Sequence, residues 1–431
     1  AGDRLTQEQR LDGSLKRYVY DPLDNVTRVE TLATAGTEAA IIHDLERDAA
    51  GRLIAKNTLD GRTEYGYDAL DQVTAITFTG HDGQQQHLGF GYDVLGQLVL
   101  EQSAAGSLEH HYDELGNLVQ TQLPDGRWLN RLRYGSGHLH QINLDGRVIS
   151  DFERDRLHRE VLRTQGLVDT RSEYDRSGRL RARQRRQQDQ SMLVPATQTR
   201  FGFDDSDQLV ERVVSQPGMA HRQLLHYDAT GRILASQDNF QGQREAFAYD
   251  PAANLLDGLG HVAHNRLLSY QDKRYRYDGF GRMSEKRSTR RGTQRFSYDA
   301  EQRLDQVHND DGSRVKMTYD PLGRRIAKTL YDRDGVQLSQ TLFTWDAMQL
   351  LQEHCHLRTS LYIYADEGYE PLARVDGLGP LQKVRYYHND FSGLPEELTE
   401  SDGQTVWKAR YEVWGNTAEE IREPYYIEEQ N

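Results

Sequence analysis

Aspartate is the residue type in this sequence that most strongly suggests chemistry, because it recurs within a fixed phrase. The phrase Tyr-Asp-x-x-Gly-Arg, followed by an apolar residue, runs from Tyr277 to Met283, and further copies begin at Tyr298 and Tyr319. Paired carboxylates are the catalytic groups of glycosidases. An Asp that recurs at the same place before a Gly is better explained by a turn, in which its side chain bonds the backbone. We therefore predict no catalytic residue among these Asp residues.

Two other groups contain residue types that bind metals. In a strand, His354 and His356 would share one face and Cys355 would point to the other, so the three would not converge on an ion. The stretch Asp332–Gly335 is similar to the start of a calcium loop, but it lacks the later ligands, including the Glu at position twelve. We interpret it as a hairpin turn. The sequence predicts no catalytic, cofactor-binding or metal-ligating residue and no cofactor.

These residues are positioned by a repeat, which a fixed period of 20 to 50 residues indicates. Successive copies lie mostly 20 to 29 residues apart, which gives roughly fourteen units. Some copies are degraded, such as the one at Tyr134 and a last one without Gly at Trp345–Asp346. The Asp of the phrase stands at Asp21, Asp48, Asp68, Asp93, Asp113, Asp155, Asp175, Asp204, Asp228, Asp250, Asp278, Asp299 and Asp320.

Each residue of the phrase has a structural role in a β-hairpin. Tyr ends a strand, Asp bonds the turn, Gly adopts a positive φ, and the apolar residue begins the next strand. A second turn signal, Asp-Gly, falls between copies, and it is a strong hairpin signal. Its copies begin at Asp60, Asp82, Asp125, Asp145, Asp311 and Asp334. Each unit is predicted to be one hairpin with strands of about five to eight residues.

Composition limits what these hairpins can build. Apolar residues make up 36% of the 431 residues and mean hydropathy is −0.83, which is too little for a thick core. Yet 24 Tyr and 37 Gly argue against disorder. A long strip of twisted strands curls or closes and thereby hides its edges. We therefore expect an all-β repeat array that winds into a hollow spiral with a thin wall.

Charge and hydropathy exclude several partners. The formal net charge of −14 disfavours binding to nucleic acid, and no apolar stretch is long enough to span a membrane. The basic run Arg179–Arg186 is interpreted as a solvated strand face or a charge partner for this acidic chain. The single Cys355 leaves the compartment undecided. The chain opens at Ala1–Leu5 on what matches the back half of a repeat, so we expect a segment excised from a longer protein.

From about Leu330 the register changes, and three segments carry a second pattern. They are Tyr362–Val375, Tyr386–Pro395, which reads Tyr-Tyr-His-Asn-Asp-Phe-Ser-Gly-Leu-Pro, and Asp402–Gly415, which contains Trp, Tyr and Trp-Gly. The Tyr-Asp phrases resemble the YD repeats of bacterial Rhs proteins, Tc toxin C subunits and animal teneurins. The three segments resemble the end of the Rhs core. The resemblance covers essentially the entire chain.

The Rhs resemblance implies a YD-repeat β-hairpin array that spirals into a large hollow cage, or β-cocoon. Residues 1–345 would form the array, and residues 346–431 the Rhs-core C-terminal signature region that closes the shell. His388–Asn389–Asp390 would be a turn that locks the end of the cage. The family's autoprotease motif, Asp-Pro-x-Gly-Leu, would lie beyond Asn431, whereas Asp320–Gly323 is a repeat turn followed by Arg324. The chain is therefore expected not to be an enzyme.

The resemblance also implies the function and partners. The chain would be a structural shell that encapsulates the C-terminal toxin domain of a polymorphic toxin for delivery into competitor cells. It would be made in the bacterial cytoplasm and secreted by a type VI secretion system. Its partners would be that toxin domain, an N-terminal plug region, a secretion spike protein and a chaperone. The alternative is a cell-surface module that binds glycans or protein through columns of Tyr and Arg.

Overall fold

The chain folds as a succession of short antiparallel strands. A computed structural model describes residues 4–34, 38–188, 197–239, 242–256, 260–290, 292–356, 358–365 and 368–422. Over these ranges there is no α-helix, and a 3₁₀ turn spans Gly379–Leu381. No helix in the described ranges is long and apolar enough to cross a membrane. The predicted all-β fold is confirmed.

The strands are three to ten residues long. The first part of the chain contains β1 (Gln7–Gln9), β2 (Leu15–Tyr20), β3 (Val26–Leu32), β4 (Ile41–Arg47), β5 (Leu53–Thr58), β6 (Gly61–Tyr67), β7 (Val73–Gly80), β8 (Gln85–Tyr92), β9 (Leu98–Ser103), β10 (Gly106–Tyr112), β11 (Leu118–Gln122), β12 (Trp128–Tyr134), β13 (His138–Leu144), β14 (Arg147–Arg154), β15 (Glu160–Gln165), β16 (Val168–Tyr174), β17 (Leu180–Gln187), β18 (Thr197–Phe203), β19 (Leu209–Gln216), β20 (Met219–Tyr227), β21 (Ile233–Asp238) and β22 (Arg244–Ala246).

The second part of the chain consists of short strands of the same kind. They are β23 (Gly260–Ala263), β24 (Arg266–Tyr270), β25 (Lys273–Tyr277), β26 (Met283–Ser288), β27 (Gly292–Tyr298), β28 (Leu304–Asn309), β29 (Arg314–Tyr319), β30 (Arg325–Tyr331), β31 (Gln337–Asp346), β32 (Gln349–Cys355), β33 (Arg358–Tyr364), β34 (Pro371–Asp376), β35 (Lys383–Asn389), β36 (Pro395–Glu400), β37 (Thr405–Tyr411) and β38 (Thr417–Arg422).

Within four stretches of the chain, which we call ribbons, each strand pairs antiparallel with the next one: β1–β10, β11–β22, β23–β32 and β33–β38. The two predicted turn signals alternate along each ribbon. At Asp145–Gly146, φ is +50° and +83°, so both loop residues are left-handed, as a two-residue hairpin with a primed turn requires. The hairpin prediction is confirmed at both kinds of turn.

A β-bulge accompanies most Tyr-Asp turns. The register shifts between Arg276 and Tyr277, between Ser297 and Tyr298, and at the equivalent place in the other copies. A bulge adds one residue to one strand and increases the local twist. The phrase itself carries no signal for this extra residue.

The chain forms two compact units, each built from two separated segments. Unit 1 contains residues 1–109 and 249–357, and unit 2 contains residues 110–248 and 358–431. The repeat pattern did not predict which distant segments pack together. The division of the chain at residues 345 and 346 rests on the sequence pattern and stays a prediction.

Each unit buries apolar side chains from both of its segments. Among the described residues, fewer apolar side chains are buried in unit 1 than in unit 2. Those of unit 1 include Ala55, Ile76, Leu88, Phe280, Val307 and Phe343. In unit 2 they include Leu123, Leu139, Ile142, Leu144, Ile149, Leu361, Ile363, Leu372, Val375, Tyr386 and Leu398. The side chains of the C-terminal signature therefore contribute much of the unit 2 core.

Candidate functional site

The repeated turn is the most frequent polar structure in both units, and Asp278 illustrates it. Its Oδ1 accepts the backbone N–H groups of Phe280 and Arg282 at 3.0 and 2.9 Å. Its backbone N–H donates to the Arg282 carbonyl oxygen at 2.9 Å. The Asp therefore closes the turn as predicted. In addition, Arg282 folds back, and its Nε donates to Asp278 Oδ2 at 2.6 Å, an ion pair that the sequence reasoning missed.

The Gly slot of the phrase is left-handed in each of the thirteen copies from Asp21 to Asp320. Gly281 has φ of +84°, as the sequence predicts. The degraded copies keep this conformation with other residues: Asp24 (+70°), Asp71 (+65°), His158 (+61°), Asp207 (+62°), Ala253 (+64°) and Gln302 (+64°). The turn is therefore set by the Asp hydrogen bonds, and Gly lowers its strain.

The Tyr of each phrase ties one hairpin to the preceding one. The Tyr298 hydroxyl donates to the Met283 carbonyl oxygen at 2.7 Å, and the Arg282 guanidinium lies 4.6 Å from the Tyr298 ring centroid. Burial raises the pKa of Tyr298, which keeps the hydroxyl protonated. The same hydroxyl-to-carbonyl bond, at 2.8 to 2.9 Å, is made by Tyr67, Tyr92, Tyr174, Tyr227, Tyr277, Tyr319 and Tyr411.

This arrangement shows how the columns of Tyr and Arg, which the sequence offered as a glycan-binding surface, are used within the ribbons. Their hydroxyls are bonded within the ribbon, and Arg52, Arg159 and Arg303 lie over the rings of the next Tyr in the same way. Stacking between repeats is thus favoured over an open sugar-binding wall. At the last copy, Trp345 Nε1 replaces the hydroxyl and donates to the Arg325 carbonyl oxygen at 2.9 Å. Asp346 there is the last residue of β31, not the first residue of a turn.

In unit 1 the turns of the later ribbon pack against the earlier ribbon. The Gly279 carbonyl oxygen accepts the Thr34 N–H at 2.7 Å, and the Ala300 carbonyl oxygen accepts from His43 Nε2 at 2.8 Å. Phe280, at the tip of its turn, is only 4% exposed. The Tyr-Asp turns therefore hold two ribbons together as well as closing hairpins.

A buried charge cluster strengthens this contact in unit 1. Arg324 Nη1 lies 2.6 Å from Glu101 Oε1, and Arg324 Nε lies 2.6 Å from Asp320 Oδ2. The three side chains are 2%, 3% and 4% exposed. Arg324 Nη1 also donates to the Ala347 carbonyl oxygen at 2.7 Å. Burial lowers the pKa of Arg324, but Asp320 and Glu101 outweigh it and raise the pKa above its ordinary value.

In unit 2 the C-terminal signature uses the same turn. Asp390 Oδ1 accepts the N–H groups of Ser392 and Leu394 at 2.8 and 2.9 Å, so this Asp is in a turn, as interpreted. The prediction of a turn was wrong for His388 and Asn389, which belong to β35. The Nε2 of His388 is 2.9 Å from Thr399 Oγ1. Burial, together with neighbouring arginines, holds the pKa of His388 well below its usual value. The His is therefore neutral at neutral pH.

The basic run Arg179–Arg186 is divided between two faces of β17. Arg183 and Arg185 line a cavity of unit 2, and Arg185 forms an ion pair with Glu397 of β36. Arg186 points the other way and is exposed. Both interpretations of the run thus apply, each to different residues, since neighbouring residues of a strand face opposite sides.

The stretch His354–Cys355–His356 does not form the one continuous strand that the sequence interpretation assumed. Strand β32 ends at Cys355, and His356 has φ of +53°, so the two His residues do not share a strand face. The described residues contain no group of three His, Cys, Asp or Glu side chains that could hold a metal ion. Asp332 Oδ1 accepts the Val336 N–H at 2.8 Å, and this stretch is a hairpin turn as predicted.

Comparisons with known proteins agree with this repeat structure. Residues 384–421 match the model of the RHS protein family, and residues 47–82 match that of the RHS Repeat. The chain is 36% identical to double-stranded DNA deaminase toxin A of Burkholderia cenocepacia, over 96% of this chain and 32% of that protein. It is 27% identical to toxin protein Tse5 of Pseudomonas aeruginosa, over 79% of this chain and 31% of that protein.

Two solved structures share the fold. They are the crystal structures of TcdB2-TccC3-Cdc42 and TcdB2-TccC3, with TM-scores of 0.53 and 0.52 and 13% sequence identity. Each match covers 98% of this chain and about a third, 31% and 32%, of the other chain. The hairpin array is thus a repeat fold that is also found in these structures.

The matches and the Tyr-Asp turns together identify the family. The chain belongs to the Rhs (YD-repeat) family, and it contains the C-terminal part of the Rhs core. It spans about a third of the length of the curated relatives, 32% and 31%.

Proposed function

We propose that this chain is part of a structural shell that encloses the C-terminal toxin domain of an Rhs polymorphic toxin. The observation that carries the proposal is the repeated hydrogen bond between neighbouring hairpins, which we call the lock. In it the hydroxyl of Tyr298, or of an equivalent Tyr, donates to a carbonyl oxygen of the preceding hairpin. Identical locks along a ribbon make a continuous wall whose stability does not depend on a filled interior. Two relatives that align with most of this chain are named as toxins.

The shell would act by containment and would not itself be an enzyme. It would keep the toxin domain away from the producing cell until delivery, with an N-terminal plug region closing the other end. The deaminase named in one relative would then describe the enclosed domain. Export by a type VI secretion system, with a spike protein and a chaperone, follows from the family resemblance.

The experiment is limited proteolysis of the full-length protein. If the shell encloses the toxin domain, the toxin domain co-purifies with the shell and resists protease under native conditions. In mild denaturant, opening of the wall exposes it to cleavage. A toxin domain that is cleaved at the same rate in the native protein and when expressed alone would contradict the proposal.

The alternative, a module that binds glycans or protein, predicts measurable affinity at an exposed stripe of Tyr and Arg. The Tyr hydroxyls already donate within the ribbon, which disfavours this alternative.

A further inference from the structure

Unit 2 contains a cavity of about 350 Å³ between strands β15–β20 of one segment and strands β35–β38 of the other. This volume lies at the lower end of the range for small-molecule sites. Phe201, Val214 and Ile421 give it an apolar wall, and charged side chains form the rest of its lining. A small, partly apolar ligand with a charged group would fit such a space.

The cavity is lined by six cationic and five acidic side chains, and the acidic ones are already engaged. Four of them form ion pairs with arginines, one of which is Arg410, 3.3 Å from Glu419. The fifth, Asp390, accepts the backbone N–H groups of its turn. The other three pairs are Arg163–Glu160 at 2.9 Å, Arg212–Glu396 at 2.5 Å and Arg185–Glu397.

Arg183 is the exception among these arginines. Its Nη1 donates to the Asn389 carbonyl oxygen at 2.8 Å, and within the described ranges its buried Nε, like that of Arg212, has no hydrogen-bond partner. No ion pair within 4.0 Å joins it to a described carboxylate. A buried charge without a counter-charge is costly. Glu370 and Glu160 act on Arg183 only from beyond ion-pair distance, so the guanidinium has no described carboxylate in direct contact and can accept an anion from the cavity.

Other cations add to the positive potential at this place. Burial lowers the pKa of Arg183, and Arg163 lowers it further, while the more distant Glu370 and Glu160 raise it without restoring its ordinary value. Burial lowers the pKa of His388 most, and Arg185, Arg163 and Arg183 lower it further. Arg163, Arg183, Arg185 and His388 all line the cavity, so a negative charge placed beside Arg183 would be stabilised.

We propose that this cavity is a binding site for a small oxyanion, a carboxylate or a phosphate, with Arg183 as its main ligand. Guanidinium groups present parallel N–H donors that match both kinds of oxyanion. The anion would complete the charge balance of the cavity and would tie strand β17 to the C-terminal signature. This inference concerns unit 2 alone and does not depend on the proposed shell function.

The test is thermal unfolding of the full-length protein in potassium chloride, phosphate or succinate at equal ionic strength. Saturating phosphate or succinate is expected to raise the unfolding temperature of the wild type by about 5 °C. Arg183→Gln, which removes the charge but keeps a donor for Asn389, should abolish the rise. Arg183→Lys should retain part of it. The matched control is Arg186→Gln, which lies on the exposed face of the same strand and should respond like the wild type.

The carboxylate could instead come from an acidic side chain of the protein itself. In that case free anions leave the unfolding temperature unchanged, Arg183→Gln lowers it, and Arg183→Lys restores it. Two results would overturn the proposal. One is an anion effect of equal size in all variants. The other is the absence of any anion effect together with an Arg183→Gln protein at least as stable as Arg183→Lys.

Discussion

Replacing Glu101 with Ala removes one of the two carboxylates that neutralise the buried Arg324 guanidinium in unit 1. Arg324 would keep its contact with Asp320 at 2.6 Å and its bond to the Ala347 carbonyl oxygen at 2.7 Å. It would lose the contact with Glu101 at 2.6 Å. Since Glu101 belongs to β9 and Arg324 follows the turn before β30, the substitution breaks a link between the two segments of unit 1.

The size of the effect follows from the burial of the cluster. Two unit charges about 4 Å apart attract by about 4 kcal/mol at an effective dielectric constant of about 20. Breaking one member of a buried ion pair costs about 3–5 kcal/mol, because the remaining charge is left without compensation. Asp320 still compensates Arg324, so the lower end, about 3 kcal/mol, is expected. Glu101→Gln keeps a hydrogen-bond acceptor and should cost less, about 2 kcal/mol.

Hydrogen exchange measured by mass spectrometry on the full-length protein is the suitable assay, because it reports local opening. Peptides that cover β9 and the start of β30 should exchange roughly a hundredfold faster in Glu101→Ala, which corresponds to about 3 kcal/mol. Glu64→Ala is the control, since Glu64 is 59% exposed and pairs with Arg62 on the surface. An exchange rate in Glu101→Ala within threefold of the control would refute the role given to this cluster.

Three further substitutions in unit 1 test other parts of the account. Gly281→Ala should destabilise by about 1–2 kcal/mol in urea unfolding, because φ is +84° and a Cβ would lie 2.7 Å from Asp12 Oδ2. Tyr298→Phe should cost about 1 kcal/mol, since it removes the bond to Met283. Burial raises the pKa of Asp12, but hydrogen bonds from Ser14 and the Arg266 ion pair bring it down to about 2. Its stabilisation is present above the ordinary pKa of 3.8 and is lost towards pH 2, so Asp12→Asn should remove this part of the acid sensitivity.

Each of these predicted effects has a control measurement that could contradict it. Gly218→Ala has the same left-handed strain but nothing within 4 Å of the new Cβ, so it should cost less than Gly281→Ala. Tyr369 is 67% exposed, and Tyr369→Phe should be neutral. Equal losses in either pair would count against the assigned contacts. Identical acid unfolding midpoints for the wild type and Asp12→Asn would count against the role of that carboxylate.

The local structure of each hairpin could be predicted from the sequence because every element of it is local. Tyr319 ends a strand and Asp320 closes a turn with Arg324 four residues later, so residue type and spacing suffice. Even worn copies were identified, since the Asp determines the turn and His158 adopts the conformation of a Gly.

The contacts between separated segments could not be predicted. All copies of the phrase are alike, so nothing in the sequence distinguishes the copy at Asp320, which meets Glu101, from its neighbours. Which face of the run Arg179–Arg186 is covered depends on the packing of β36 against β17, which is also non-local. The error at His356 had a local cause, because the strand ends at Cys355, one residue before His356.

The central claim is that the full-length protein surrounds its toxin domain with this wall, and single-particle electron cryomicroscopy of the full-length protein tests it most directly. The account predicts a closed, hollow particle with a lumen of many thousands of cubic ångströms, far larger than the roughly 300–1,000 Å³ of ligand sites, and with density for the toxin domain inside. A solid particle without a lumen, or a toxin domain resolved outside the wall, would contradict it.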